Sequence, residues 1–187
     1  MSSVKHIVLT GFPGVGKTTL IKKVCDALKA ENVCKIDGFY TEDVRNETGS
    51  RIGFDIVTLG GKRRRLSRTL EYVEPGNESK YKVGQYTVFL NEFESVALPT
   101  FESENEIIVI DEIGKMELFS ENFKQKVVKT FKDPKKIIIA TIPVAKGKPI
   151  SLVENIRSSD STHLITVNKN NRNNLLNEIV SHVKSCL

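Results

Sequence analysis

Residues 11–18 read Gly11-Phe12-Pro13-Gly14-Val15-Gly16-Lys17-Thr18, a complete G-x-x-x-x-G-K-T phosphate-binding loop, and few architectures can present such a segment. His6-Ile7-Val8-Leu9-Thr10 before it is a short apolar run suited to a buried strand. Thr18 to Ala30 after it carries Leu20, Ile21, Val24, Ala27 and Leu28 at helical spacing. Strand, glycine loop and helix therefore follow in order. The glycines let backbone N–H groups turn inward on an anion, and the positive end of the following helix adds to that field. Lys17 is expected to reach the β and γ phosphates as a catalytic cation, Thr18 to hold Mg²⁺ through its hydroxyl, and Thr19 to bond the α-phosphate side. The alternative, a glycine turn that only joins strand to helix, is outweighed by this context.

A phosphate loop is shared by hydrolases, kinases and switches, so a second signal has to choose among them. Ile107-Ile108-Val109-Ile110 is an apolar run ending in Asp111-Glu112, which reads as a buried strand delivering two carboxylates at its C-terminal edge, where ligands of open α/β sheets bind. Ile108, Val109, Ile110, Asp111, Glu112, Ile113 and Gly114 are accordingly expected to border the nucleotide. Asp111 would share the Mg²⁺ ion with Thr18, through bound water. Glu112 would orient and deprotonate the attacking water; its competing role is that of a solvated loop acid or helix cap. A further apolar run, Lys136 to Ala140, ends at Thr141, whose hydroxyl either serves the γ-phosphate and water or stays structural.

Six stretches taken together carry a resemblance: Gly11 to Leu20, Asp37-Gly38-Phe39-Tyr40-Thr41-Glu42, Arg51-Ile52-Gly53-Phe54-Asp55, Val83-Gly84-Gln85-Tyr86, Asp111-Glu112-Ile113-Gly114-Lys115-Met116-Glu117 and Thr141-Ile142-Pro143. In this order the chain resembles the P-loop nucleoside-triphosphatases first described from thermophiles, whose animal branch is the cancer-related nucleoside-triphosphatases. The likeness runs from about residue 4 to residue 180, and the Asp-Glu-Ile-Gly stretch is its most specific part. It implies a RecA-like domain, with a strand inserted between the phosphate-loop strand and the Asp111 strand. It also implies slow hydrolysis of ATP, GTP, CTP, UTP and TTP, with diphosphates as poorer substrates and Glu112 as the catalytic glutamate.

A chain of 187 residues with 39% hydrophobic residues can bury the core of one domain, residues 1–187, and shows no linker or repeat. It has no apolar stretch near the roughly 18 residues that span a bilayer and no long apolar segment of a secretory signal at its start, so an intracellular, cytoplasmic protein is expected; a monomer is the expected assembly. Cys25, Cys34 and Cys186 lack metal-ligand spacing and are expected as reduced thiols. The net charge of +5 concentrates at Lys62-Arg63-Arg64-Arg65 and Arg68, which read as a solvated hairpin rim ahead of an RNA or phosphate surface.

In the last third, Arg157 is a candidate transition-state arginine whose competing role is a surface one. Asn168-Lys169-Asn170-Asn171 is similar to an Asn-Lys-x-Asp guanine reader but lacks its acid, so broad base tolerance is the expectation; Tyr40, Tyr72, Tyr81 and Tyr86 are too spread out for a single-strand stacking platform, and nucleic acid is not the expected partner. The expected order is β(4–10), α(18–30), β(36–41), a β-meander over 52–90, α(91–98), β(107–110), α(117–131), β(136–141), α(150–157), β(163–167) and α(171–185). That is an α/β fold: a mainly parallel sheet flanked by helices, with an antiparallel meander at one edge. Two other functions fit a phosphate loop. A nucleotide or nucleoside kinase would need arginines for a second phosphate, and no such arginine-rich lid is present; an ATP-driven switch would act on RNA or a protein partner.

Overall fold

Three apolar strands end within reach of one another, and that convergence positions everything functional. The computed structural model describes residues 4–32 and 34–187. Nine strands form one sheet: β1 (His6–Thr10), β2 (Ile36–Arg45), β3 (Arg51–Thr58), β4 (Arg63–Thr69), β5 (Lys82–Val83), β6 (Tyr86–Val88), β7 (Ile107–Ile110), β8 (Ile137–Thr141) and β9 (Thr162–Thr166). Their order is β5-β6-β4-β3-β2-β7-β8-β1-β9. The five strands from β2 to β9 run parallel, and β3, β4, β6 and β5 continue one edge as antiparallel neighbours. β8 is the strand inserted between β1 and β7, as the family resemblance implied.

β1, β7 and β8 are buried along their whole length, which explains their unbroken Ile/Val/Leu character: both faces are covered by helices. Residues alternate between those faces. Ile7, Leu9, Ile107, Val109, Ile137 and Ile139 pack with α1 (Lys17–Ala30) and α5 (Leu175–Ser185). Val8, Ile108, Ile110, Ile138 and Ala140 pack on the other side with α2 (Leu90–Ala97), α3 (Glu121–Lys132) and α4 (Ser151–Arg157). Phe39, Phe93 and Phe123 meet there with ring centroids 5.2 to 6.0 Å apart, which ties the start of β2 to α2 and α3.

Several boundaries differ from the sequence reading. β2 runs on to Arg45, because its second half finds a partner in β3 over Phe39–Arg45. α3 begins at Glu121 rather than 117: Ser120 caps it by accepting the Phe123 N–H at 3.0 Å, and Glu117–Phe119 form a separate 3₁₀ turn. α5 begins at Leu175, since the asparagines before it close a turn of their own. The basic run lies on β4, where Arg63 and Arg68 pair with Asp55 at 3.0 and 2.6 Å and Arg65 pairs with Glu92 at 2.6 Å. No helix of the described residues is long and apolar enough to cross a membrane.

Candidate active site

The chain leaves the sheet at Gly11, with φ +153; a Cβ there would lie 2.4 Å from the Val167 carbonyl oxygen, so the backbone passes only as glycine. The loop then enters α1, whose N-cap residue Gly16 contributes no side-chain bond, so the first-turn N–H groups stay open to the cleft. Lys17 curls back over this loop, its Nζ donating to the Gly11 carbonyl at 2.8 Å. On the outer side Arg172 donates to the Val15 carbonyl at 3.2 Å and lays its Cδ 3.7 Å from the position a Gly16 Cβ would take. An arginine from the far end of the chain thus braces the loop.

Strand register brings the other groups to the same edge. Leu9 is level with Thr141 across β1 and β8, and Ile110 with Ala140 across β7 and β8, so Thr141 stands between the phosphate loop and Asp111. Asp111 is 1% exposed, and both of its oxygens are used: Thr18 donates to Oδ2 at 2.6 Å and Thr141 donates to Oδ1. Burial pushes the Asp111 carboxyl up, while these two hydroxyls and Lys17 hold it down. Glu112 follows through a cis peptide bond and lines the phosphate-loop cleft. Burial pushes its carboxyl up to about 7, the Asp111 charge adds to this, and Lys17 opposes it.

The opposite wall of the cleft belongs to the meander. Thr41, Glu42 and Asp43 of β2 with Arg51 and Phe54 of β3 face the loop across about 520 Å³. Arg51 lies over the Phe54 ring, its guanidinium carbon 5.2 Å from the centroid, and donates to Asp43 at 2.6 Å. Glu42 reaches Lys22 on α1 at 2.5 Å, an ion pair that links the wall to the helix behind the phosphate loop.

The model of the NTPase family matches residues 6–180 of this chain. The human cancer-related nucleoside-triphosphatase is 50% identical over 97% of both chains, and the nucleoside-triphosphatase THEP1 of Thermotoga maritima is 43% identical over 95% of both. The chain belongs to this nucleoside-triphosphatase family. Solved structures carry the same fold. The solution structure of the human protein has TM-score 0.81 at 50% identity, covering 97% of this chain and 98% of that one. The crystal structure of THEP1 from Aquifex aeolicus also gives 0.81, at 37% identity, covering 96% and 99%.

In this nucleoside-triphosphatase, Gly11, Pro13, Gly14, Gly16, Lys17, Thr18, Thr19 and Glu112 line the cleft together, as their order in the sequence suggests. Phe12 points outward at 72% exposure, and Val15 is buried in the core beneath the loop. The side chains of Ile108, Val109, Ile110 and Ile113 are sealed in strand packing and support the edge from below. Arg157 does not line the cleft: it donates to the Pro143 carbonyl and reaches Glu154 at 3.4 Å, so it holds the segment after β8. Asn168 accepts the Asn170 and Asn171 N–H groups at 2.9 and 3.1 Å, while Asn171 accepts the Asn168 N–H at 2.8 Å, a turn bonded to itself.

The sequence reading missed Glu117, which looks like an ordinary first-turn acid. It is buried, and its Oε2 accepts the Gly114 N–H at 3.2 Å. Gly114 separates two carboxyls: a Cβ there would lie 2.6 Å from Glu112 Oε1 and 3.0 Å from Glu117 Oε2. Burial, reinforced by Glu112, raises the Glu117 carboxyl to about 8. An unfolded glutamate titrates near 4.3, so between that pH and about 8 the folded state holds a proton that the unfolded state has lost. Glu117 therefore supports folding fully at low pH, and that support fades as pH rises through this window. Glu117→Gln keeps an acceptor for Gly114 and removes the titration. Thermal melts of both proteins from acidic to mildly alkaline pH should show the variant gaining on the wild type as pH rises. A difference that stays flat would mean that Glu117 ionises in the folded state without penalty.

Proposed function

We propose that this nucleoside-triphosphatase releases the γ-phosphate of ATP, GTP, CTP, UTP and TTP slowly and with little regard to the base, and acts more weakly on diphosphates. The observation that carries the reading is a single buried carboxylate, Asp111, holding the hydroxyls of Thr18 and Thr141 while the adjacent Glu112 faces the phosphate-loop cleft. The hydroxyl of Thr18, which lines the cleft, and the carboxylate of Asp111, buried directly behind it at 2.6 Å, are hard oxygen donors of the kind that suits Mg²⁺, which would draw charge from the phosphate oxygens when bound. Lys17 and the N–H groups opening α1 bind the same phosphates and align them. Glu112 takes the proton of a water whose oxygen attacks the γ-phosphorus; the bond to the bridging oxygen breaks, leaving a nucleoside diphosphate and phosphate. A carboxyl near 7 is matched to that task, because it is substantially ionised at neutral pH yet basic enough to accept a proton. A diphosphate offers the loop one phosphate fewer, so it is the poorer substrate.

Two features support slow, unselective turnover. Arg51 of the cleft is tied to Asp43 and Arg157 to the Pro143 segment, so neither stands ready over the γ-phosphate. The asparagine turn at the guanine-reader position bonds to itself. Binding energy then comes from phosphate contacts that every nucleotide shares. We propose a monomer acting as one domain. Phosphate release from the five triphosphates under identical Mg²⁺ should give kcat/KM values within about tenfold, a spread of about 1.4 kcal/mol, with turnover below the general enzyme median of about 10 s⁻¹. A hundredfold preference for one base would defeat the unselective reading.

A further inference from the structure

Beyond Glu112, on the side away from the phosphate loop, lies a second cavity of about 240 Å³ that nothing in the hydrolytic reading uses. Glu112 lines both spaces, as do Thr41, Phe54 and Pro143, so the two border each other along these side chains. The walls are Phe54 and Leu66 from the meander, Val83 from β5, and Met116 and Pro143 from the segments after β7 and β8. A cavity needed only to admit water has no use for such walls. They lower the free energy of an apolar occupant and do nothing for water.

The polar end selects further. Glu112 and Glu117 both face this cavity, and among its described lining residues the single cation is Lys115, an exposed side chain. A phosphorylated or carboxylated molecule would set its charge against the Glu112 carboxylate and find in the protonated Glu117 no cation to balance it, so the site suits an uncharged ligand. Its volume is below the roughly 300–1,000 Å³ of drug-sized sites, which calls for a small one. A hydroxyl at the ligand's polar end would meet Glu112 at the position from which a water is otherwise deprotonated.

From this juxtaposition we infer that the cavity is an acceptor site for a small, uncharged, largely apolar alcohol, and that the enzyme transfers the γ-phosphoryl group to its hydroxyl. The step rests on the role proposed for Glu112. The alcohol oxygen bonds to the γ-phosphorus, the bond from that phosphorus to the bridging oxygen breaks, and the hydroxyl proton passes to Glu112. The products are the alkyl phosphate and the nucleoside diphosphate, and nothing is oxidised or reduced. Hydrolysis is then the same chemistry with water in place of the alcohol.

The probe is benzyl alcohol, with ethanol as the control that cannot fill the cavity. Wild-type protein turns over γ-labelled ATP with Mg²⁺ in the presence of each at equal concentration, and the labelled alkyl phosphate is measured against free phosphate. The partition ratio for benzyl alcohol should exceed that for ethanol by about tenfold or more, the scale on which an apolar pocket discriminates. Filling the cavity by Val83→Trp, or from the other side by Met116→Trp, should lower the benzyl ratio by a similar factor. Equal ratios for the two alcohols in the wild type overturn the acceptor site, whatever the variants do, and so does a benzyl ratio that neither folded variant changes. Absence of free phosphate in alcohol-free buffer together with no alkyl phosphate from either alcohol would instead sink the hydrolase reading, and the acceptor site with it.

Discussion

Glu112→Gln lowers steady-state phosphate release by about 10² or more while triphosphate binding persists, which is the loss expected when a general base is removed from a site otherwise left standing. Glutamine nearly matches the shape of glutamate, so the Gly114 backbone between Glu112 and Glu117 need not move. What disappears is the capacity to accept a proton. Removing one of three neighbouring acids also reduces repulsion of the phosphates, and affinity for the triphosphate should hold or rise slightly. Turnover and equilibrium binding of a labelled nucleotide, measured on one preparation, separate the two effects. Unchanged turnover would remove Glu112 from the chemistry and leave Asp111 as the sole carboxylate of consequence.

The parts of this site that the sequence exposes are those built by neighbours in the chain. The phosphate loop needs only β1, eight residues and the start of α1, and Asp111-Glu112 needs only the end of β7. Thr141 is legible for the same reason, as the last residue of an apolar strand, yet its partner is not: that its hydroxyl bonds Asp111 follows from the placement of β8 between β1 and β7. The family resemblance anticipated that order; periodicity could not. Arg51 and Phe54 are harder still. Their place over the phosphate loop depends on β2 running past the sheet's parallel portion to pair with β3, a contact between segments whose local patterns say only that they are strands.

Arg172 and Glu117 show the limit from the polar side. A charged residue in sequence defaults to a solvated position, and only tertiary structure shows Arg172 clasping the Val15 carbonyl or Glu117 sealed under Gly114. Arg157 is the converse case: an arginine in the right third of the chain for a transition-state contact is held by the Pro143 carbonyl, outside the cleft lining. The helix starts shifted for a related reason. Ser120 and the asparagines of 168–171 bond nearby backbone, and such side chains favour caps and turns over the helix interior.

Lys17→Ala should separate from Glu112→Gln by failing in binding as well as in turnover. The ammonium group faces the phosphates in the ground state and more strongly as charge shifts in the transition state, so its removal raises KM and lowers kcat, whereas loss of uniform binding alone would leave kcat unchanged. Each hydrogen bond to a charged group contributes about 1.5–3 kcal/mol, so losing one or two of them weakens a triphosphate by about 10². Lys17 bonds the Gly11 carbonyl at 2.8 Å and, at 3.4 Å, that of Phe12. The loop can present those carbonyls to water after the substitution, and the melting temperature should change little. Calorimetry with a non-hydrolysable triphosphate analogue and Mg²⁺ reads the affinity directly. Phosphate release from saturating ATP then shows how much rate is lost beyond it. Tight binding retained by Lys17→Ala would mean that the open N-terminus of α1 carries the phosphates alone. Tight binding with full activity would mean that the triphosphate sits elsewhere on the protein, and the roles of Thr18, Asp111 and Glu112 would fall with that of Lys17.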